Sequence, residues 1–278
     1  MAALHAEVRD LLVIVSVICL ILAILFPGTY YWTEARRNNT CRNNMRSVAQ
    51  GIAQYEGARN FLPGFSQGAP RRSLVYELLP FMDRMDLHRA YPPGSGNKVP
   101  EVYLEYLACP QNPRSLDRHS ANTSIVFNVG LPDAVNATPS DLPANGLFFD
   151  LRTSKTMTSQ FLVDHDGTTN TLMLSERLDA GKWTSTIEAE IGFVWHPRYA
   201  RPVANAGADR YFSVRPNSNH PGVVNVGFAD GHVRTLSTGI DYRVYAQLMT
   251  PHGDGATYPA TMQPVPESFR NHPLPEGY

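Results

Sequence analysis

The chain has 278 residues, 43% of them hydrophobic, with 24 Lys and Arg against 25 Asp and Glu. That is enough apolar side chain for a sizeable core, and it excludes a disordered or collagen-like polymer. The balanced charge gives no basic excess for nucleic acid, and the three cysteines form no CxxC or Cys/His spacing of the zinc type.

Leu11 to Phe26, LLVIVSVICLILAILF, carries no charge, Gly or Pro, and the uncharged stretch runs on to Thr33. At ~1.5 Å per residue a helix over residues 11–33 reaches ~34 Å, enough to cross a bilayer's hydrocarbon. Tyr30, Tyr31 and Trp32 would then stand at the headgroups. A run apolar on every face does not read as a core helix. It is also longer than the ~7–15 residues of a cleaved signal's apolar region, and PGTYYWTEA is a poor cleavage site. The expectation is a retained anchor over residues 1–33.

The helix is expected to continue as a stem over residues 34–58. Cys41, Met45, Val48, Ile52 and Tyr55 alternate spacings of four and three, one helical stripe, with Arg36, Arg37, Arg42, Arg46 and Gln50 on the other faces. Pro27 and Gly28 predict a kink rather than a break. Ser73 to Tyr91 reads as a helix capped by Ser73 and interrupted at Pro80; Asp86 and His88 lie in it as solvated side chains. Strands are predicted at 124–128, 146–150, 170–175 and 191–195, and a short helix at 241–249. Residues 251–278, with six prolines, read as an irregular, loosely attached tail. Helices followed by strands imply an α+β fold over residues 34–250, a mostly antiparallel sheet packed on the stem helix.

Within NHPGVVNVGFADGHVRTLS, Asn219 to Ser237, Asp230 and Gly231 fit the centre of a type I′ hairpin turn, where both residues need φ > 0. That register sets Phe228 opposite Val233 and Gly227 opposite Arg234. Val224, Val226, Phe228 and Val233 then form a core face, and Asn225, Gly227, Ala229, His232 and Arg234 a wetter one. A turn accounts for Asp230 and Gly231 without chemistry, leaving His220 unexplained.

His220, nine residues, then Asp230-Gly231 resembles the C-terminal signature of the bacterial prepilin-like family called domain of unknown function 1559. Further motifs follow that family in order: LLVIVSVICLILAILFPG as its stem, CRNNMRSVAQGIAQYEGARNFLPG as the next helix, LACPQNP as its Cys-Pro loop and DGTTNTLMLSE as its central strand. The resemblance implies a pseudopilin-like architecture in the bacterial inner membrane, single-pass, with the C-terminal domain on the periplasmic side. Four arginines after the span against Arg9 before it would alone argue for a cytoplasmic domain, but they also fit the polar face of the stem. Where a prepilin carries Gly, Phe and Glu ahead of its apolar run, this chain has His5, Ala6 and Asp10. Only the acid is kept, so an uncut anchor is expected, with Asp10 able to pair with a neighbouring subunit's N-terminus or simply to stand exposed.

Asp164 and Asp166 in DHDG resemble the start of a calcium loop without its third acid or closing Glu, and a turn serves equally. His220 with Asp230 or His232 could hold a metal, though no third ligand is evident. Outside the cytoplasm Cys41 and Cys109 can form a disulfide; as a member of the stripe, Cys41 can equally be a packed free thiol. No GxSxG, HExxH, P-loop or dinucleotide fingerprint is present. The expected function is therefore non-enzymatic and without a cofactor: a membrane-anchored envelope protein that assembles with its own copies or pilin-like subunits through the stem, with no nucleic-acid partner. The alternative is an anchored extracytoplasmic module or enzyme for a ligand or metal ion.

Overall fold

The computed structural model describes residues 2–92, 101–132, 141–151, 155–200 and 214–270, without the side chains of 2–8, 10, 24–30, 199 and 200. The chain divides into two compact units, Met1–Asn39 and Thr40–Tyr278.

The first unit is helix. α1 spans Ala2–Arg59 and is continuous through Pro27 and Gly28, so the proline does not break it. From Leu11 to Leu22 its large apolar side chains are all exposed, between 48% and 64%. The described side chains of this run stop at Ala23 and resume at Tyr31. Among the described residues no helix is long and apolar enough to cross a membrane. The side chains of His5, Ala6 and Asp10 lie outside the description.

In the second unit α1 changes character. Cys41, Met45, Val48, Ile52 and Tyr55 are buried, as their spacing predicts, and Ala49 widens the stripe. The helix ends where Asn60 adopts a left-handed φ of 65° and its amide donates to Glu56 O at 2.7 Å, a helix-closing conformation open to asparagine. A two-stranded ribbon follows, β1 (Ser66–Gln67) against β2 (Arg72–Ser73). Then comes α2 (Leu74–Leu78), whose first turn is capped by Ser73 Oγ accepting from the Tyr76 amide. Pro80 tightens the chain into a 3-10 turn before α3 (Met85–Ala90).

The sheet is assembled from β3 (Ile125–Gly130), β4 (Leu172–Glu176), β5 (Gly192–Val194), β6 (Val223–Phe228) and β7 (Val233–Ser237). Short helices α4 (Ser159–Val163) and α5 (Glu188–Ile191) lie between them in sequence, and α6 (Tyr242–Met249) and α7 (Glu267–Arg270) follow. The strand order is β5-β3-β4-β6-β7, antiparallel throughout except for the parallel pair β3/β5. The fold is α+β, a long N-terminal helix with a mostly antiparallel sheet. Alternation along β3 sends Ile125, Phe127 and Val129 into one core with Met45, Val48 and Ile52 of α1, and Val126 into a second core. That second core holds Val224, Val226 and Phe228 of β6 with Val244, Leu248 and Met249 of α6. The sheet is therefore covered on both faces.

Three expectations are corrected by this packing. Gly146 to Asp150 is not a strand: Leu147 and Phe148 both donate to Asn128 O, and residue 150 makes only an isolated bridge to Ser66. The close approach of two glycines allows it, since a Cβ on Gly146 would sit 2.5 Å from Gly130 Cα. The β6/β7 hairpin is shifted by one, with Gly227 opposite Val233 and Val226 opposite Arg234. Its loop has three residues: Gly231 N donates to Phe228 O and Phe228 N to His232 O, and Gly231 alone takes φ +87°. This is a turn closed by a left-handed glycine rather than a type I′ turn. The shift also moves Val233 to the stem side, and Asn225 and Gly227, placed on a wet face by the sequence, are buried. Finally, the Pro-rich C-terminal segment is attached through residue 270. Ala256, Val265 and Phe269 join the second core, and Val265 N donates to Ala256 O.

Candidate functional site

Cys41 sits on the buried stripe of α1, and Cys109 lies between two 3-10 turns, Glu105–Leu107 and Pro113–Leu116. Their Cα atoms are 5.1 Å apart and the two form a disulfide. One turn along α1, Asn44 Nδ2 donates to Ala108 O at 2.8 Å and Glu105 O at 3.1 Å, holding the Cys109 loop against the stem. Inside the loop, Ser115 Oγ accepts from the Cys109 amide and donates to its carbonyl region, while Asn112 N donates to Cys109 O. The Asn112 side chain caps Arg114 and donates to Ser124 Oγ and Leu178 O. Ser115 and Asn112 thus hold the backbone of Cys109 in place.

His220 arrives from the other side of the sequence. Gly222, at φ +69°, turns the chain from His220-Pro221 into β6, a conformation that favours glycine. Asn219 Nδ2 donates to Gln111 O at 2.7 Å, joining this turn to the Cys109 loop. His220 is 2% exposed, with Nε2 3.3 Å from Cys41 Sγ and 3.5 Å from Cys109 Sγ. Its third neighbour is Glu176 at the end of β4, Oε1 3.6 Å from Nε2. Glu176 in turn accepts from the amide and side-chain Nδ2 of Asn225 on β6. The four ligand-type atoms of Cys41, Cys109, Glu176 and His220 lie within 4.8 Å of one another, all in buried residues.

A family model described as a protein of unknown function, DUF1559, matches residues 33–243. The chain belongs to this family. No curated protein and no solved structure matches it. Every member of the buried cluster falls inside the DUF1559 span, and each comes from a different motif: Cys41 from CRNN, Cys109 from LACP, Glu176 from TLMLSE and His220 from NHPG.

The other candidate residues are placed elsewhere. Asp164, Asp166 and Asp230 do not join His220: among the described residues, the group of three or more metal-capable side chains is the Cys41, Cys109, Glu176, His220 cluster. Asp230 Oδ1 accepts from the amide of His232 and lies 2.6 Å from its Nδ1, closing the hairpin loop with Gly231. Asp164 accepts from Gln160 Nε2 in its own turn. Asp166 accepts from Gly253 N at 2.7 Å and its own amide donates to Pro251 O, so DHDG ties α4 to the C-terminal segment. Burial raises the Asp166 carboxyl above its ordinary range, against the pull of the Gly253 N–H and the neighbouring His252 and His165. A separate cleft of about 480 Å³ is lined by Val224, Leu236, Tyr242 and Tyr245 among others, with no Cys, His or carboxylate among the described lining residues.

Sequence reasoning missed Glu176, although an acid closing the apolar run LMLS is itself a signal of a buried, partnered charge. It missed Asn44, Asn112 and Asn225 as the residues that orient the cluster. It weighed Asp230 and His232, close in sequence, as partners of His220 and did not consider Glu176, which is distant in sequence and lies 3.6 Å from it.

Proposed function

We propose that this DUF1559 protein is a membrane-anchored, pseudopilin-like envelope protein without enzymatic activity, its C-terminal domain held on the periplasmic side of the bacterial inner membrane. The observation that carries this reading is the contrast within α1. Residues 11–22 expose apolar side chains on every face, while from Cys41 onward the same helix buries a single stripe. Water does not favour a bare helix of the first kind, and lipid does. The sequence supplies the rest of the span, uncharged to Thr33 with an aromatic group at its end. A disulfide between Cys41 and Cys109 suits an oxidising compartment. The stem provides the surface for assembly with like subunits, Asp10 being its acid near the membrane.

The reading is tested by fusing a reporter active only in the periplasm after Tyr278 and asking whether the fusion resists alkaline extraction from membranes. An active, extraction-resistant fusion is expected, released when residues 2–33 are deleted. A stable but inactive fusion overturns it. One observation favours the second reading, a ligand-binding module, and that is the buried Cys41, Cys109, Glu176, His220 cluster.

A further inference from the structure

We propose that reduction of the Cys41–Cys109 disulfide converts this cluster into a closed site for a zinc-class divalent ion, bound by the two thiolates, His220 Nε2 and a Glu176 carboxylate oxygen. His220 Nε2 lies 3.3 and 3.5 Å from the two sulfurs and 3.6 Å from Glu176 Oε1. In a tetrahedral zinc site with ordinary bond lengths, nitrogen and sulfur ligands are ~3.6 Å apart and nitrogen and oxygen ligands ~3.4 Å. The three edges that meet at His220 are therefore already in place. The two sulfurs must part, to ~3.8 Å, and the sulfur-to-carboxylate separations, now within 4.8 Å, must close to ~3.6 Å.

The chemistry of the set selects the ion. Two thiolates and an imidazole suit zinc and exclude the oxygen-seeking calcium considered for DHDG. Two thiolates beside the Glu176 carboxylate, all in residues no more than 5% exposed, place negative charge where water does not reach it. A dication offsets that cost, and Asn225 orients the carboxylate through two hydrogen bonds. The reductant is a dithiol: it passes two electrons and two protons to the S–S bond, giving two thiols, and itself closes to a disulfide. Metal binding then displaces both thiol protons to solvent. The disulfide and the metal exclude each other, because each needs both sulfurs. Four protein ligands leave no open coordination position, so the metal state acts as a clip joining α1, the Cys109 loop, β4 and the turn before β6, where the disulfide joins only α1 and the Cys109 loop. This inference goes beyond the membrane reading and stands whether or not that reading holds.

The test uses the full-length chain carrying Cys19→Ser, which removes the exposed free thiol. The protein is reduced with dithiothreitol, freed of reductant without oxygen, and titrated with Co²⁺ and then Zn²⁺. One Co²⁺ per reduced chain is expected, with thiolate charge-transfer and tetrahedral ligand-field bands that zinc abolishes, and none in the oxidised chain. His220→Ala and Glu176→Gln should each weaken binding by about tenfold or more. Fully reduced, folded protein with no thiolate–cobalt band overturns the proposal, as does a band of unchanged affinity in both variants. If reduction alone unfolds the chain, recovery of far-ultraviolet circular dichroism on adding zinc supports it, and no recovery overturns it.

Discussion

The two histidines that flank β6, His220 before it and His232 after it, each meet a carboxylate under opposite conditions. His232 Nδ1 is 2.6 Å from Asp230 Oδ1, with side chains 40% and 28% exposed, and its ring stacks on Phe228. His220 Nε2 is 3.6 Å from Glu176 Oε1, with side chains 1% and 3% exposed, and two sulfurs complete its surroundings. By distance alone the first pair is the stronger. Water reverses the ranking: an exposed ion pair is worth ~0–1 kcal/mol however short it is, whereas groups that have lost water depend on one another for every contact they make. Closeness in sequence and in space marks the hairpin's turn. Burial and chemically mixed company mark the site.

The largest expected effect is at the inner histidine's neighbours. Replacing Cys41 and Cys109 together by serine opens a cross-link between residues 68 apart, which should lower the stability of the oxidised protein by about 4 kcal/mol. Chemical denaturation of wild type and double variant, both without reductant, reads it directly. A loss under about 1 kcal/mol would make the inner cluster no more consequential than the outer pair. The outer hairpin should respond to its backbone before its ion pair. Gly231→Ala forces a side chain into φ +87° and should cost about 1–2 kcal/mol. His232→Ala should cost under about 1 kcal/mol. Were His232→Ala the costlier of the two, the exposed pair and the ring stacked on Phe228 would have to be holding the turn.

How much of this could be read from the sequence depends on the range of the interaction. The stem stripe was readable because its partners lie one helical turn apart, and Cys41, Met45, Val48, Ile52 and Tyr55 are all buried as their spacing implies. The cap at Ser73 and the short helix after Asp241 were readable for the same reason. The hairpin was readable but its register was not: Asp-Gly suits a two-residue or a three-residue loop, and only the bond from Phe228 N to His232 O decides between them. That one-residue slip moves Val233 to the opposite face. The buried state of Asn225 was beyond reach, because it depends on elements far away in sequence covering both faces of the sheet. The site itself lies across positions 41, 109, 176 and 220, each too distant from the next for spacing rules to connect. Its four motifs were visible one at a time; their convergence is a property of the fold.

A third acid–histidine group offers the smallest effect and a check on the same principle. Asp166 is an exposed residue like Asp230, yet its carboxylate accepts from Gly253 N, with the tilted rings of His165 and His252 nearby, 4.0 Å apart. Burial is the main influence on it, and raises its carboxyl above the usual 3.8. The folded chain then holds the Asp166 proton more tightly than the unfolded chain does. By linkage, this residue's contribution to stability is greatest below pH 3.8, falls as pH rises through the raised value, and stays at its lower level beyond it. Asp166→Asn keeps an oxygen for the Gly253 N–H and removes the charge. Thermal midpoints of the variant should therefore decline less than those of wild type as pH rises through that window, and at neutral pH the variant should be at least as stable. Parallel profiles would mean that water reaches the Asp166 carboxylate freely, and that its partial covering beside Gly253 does not raise it.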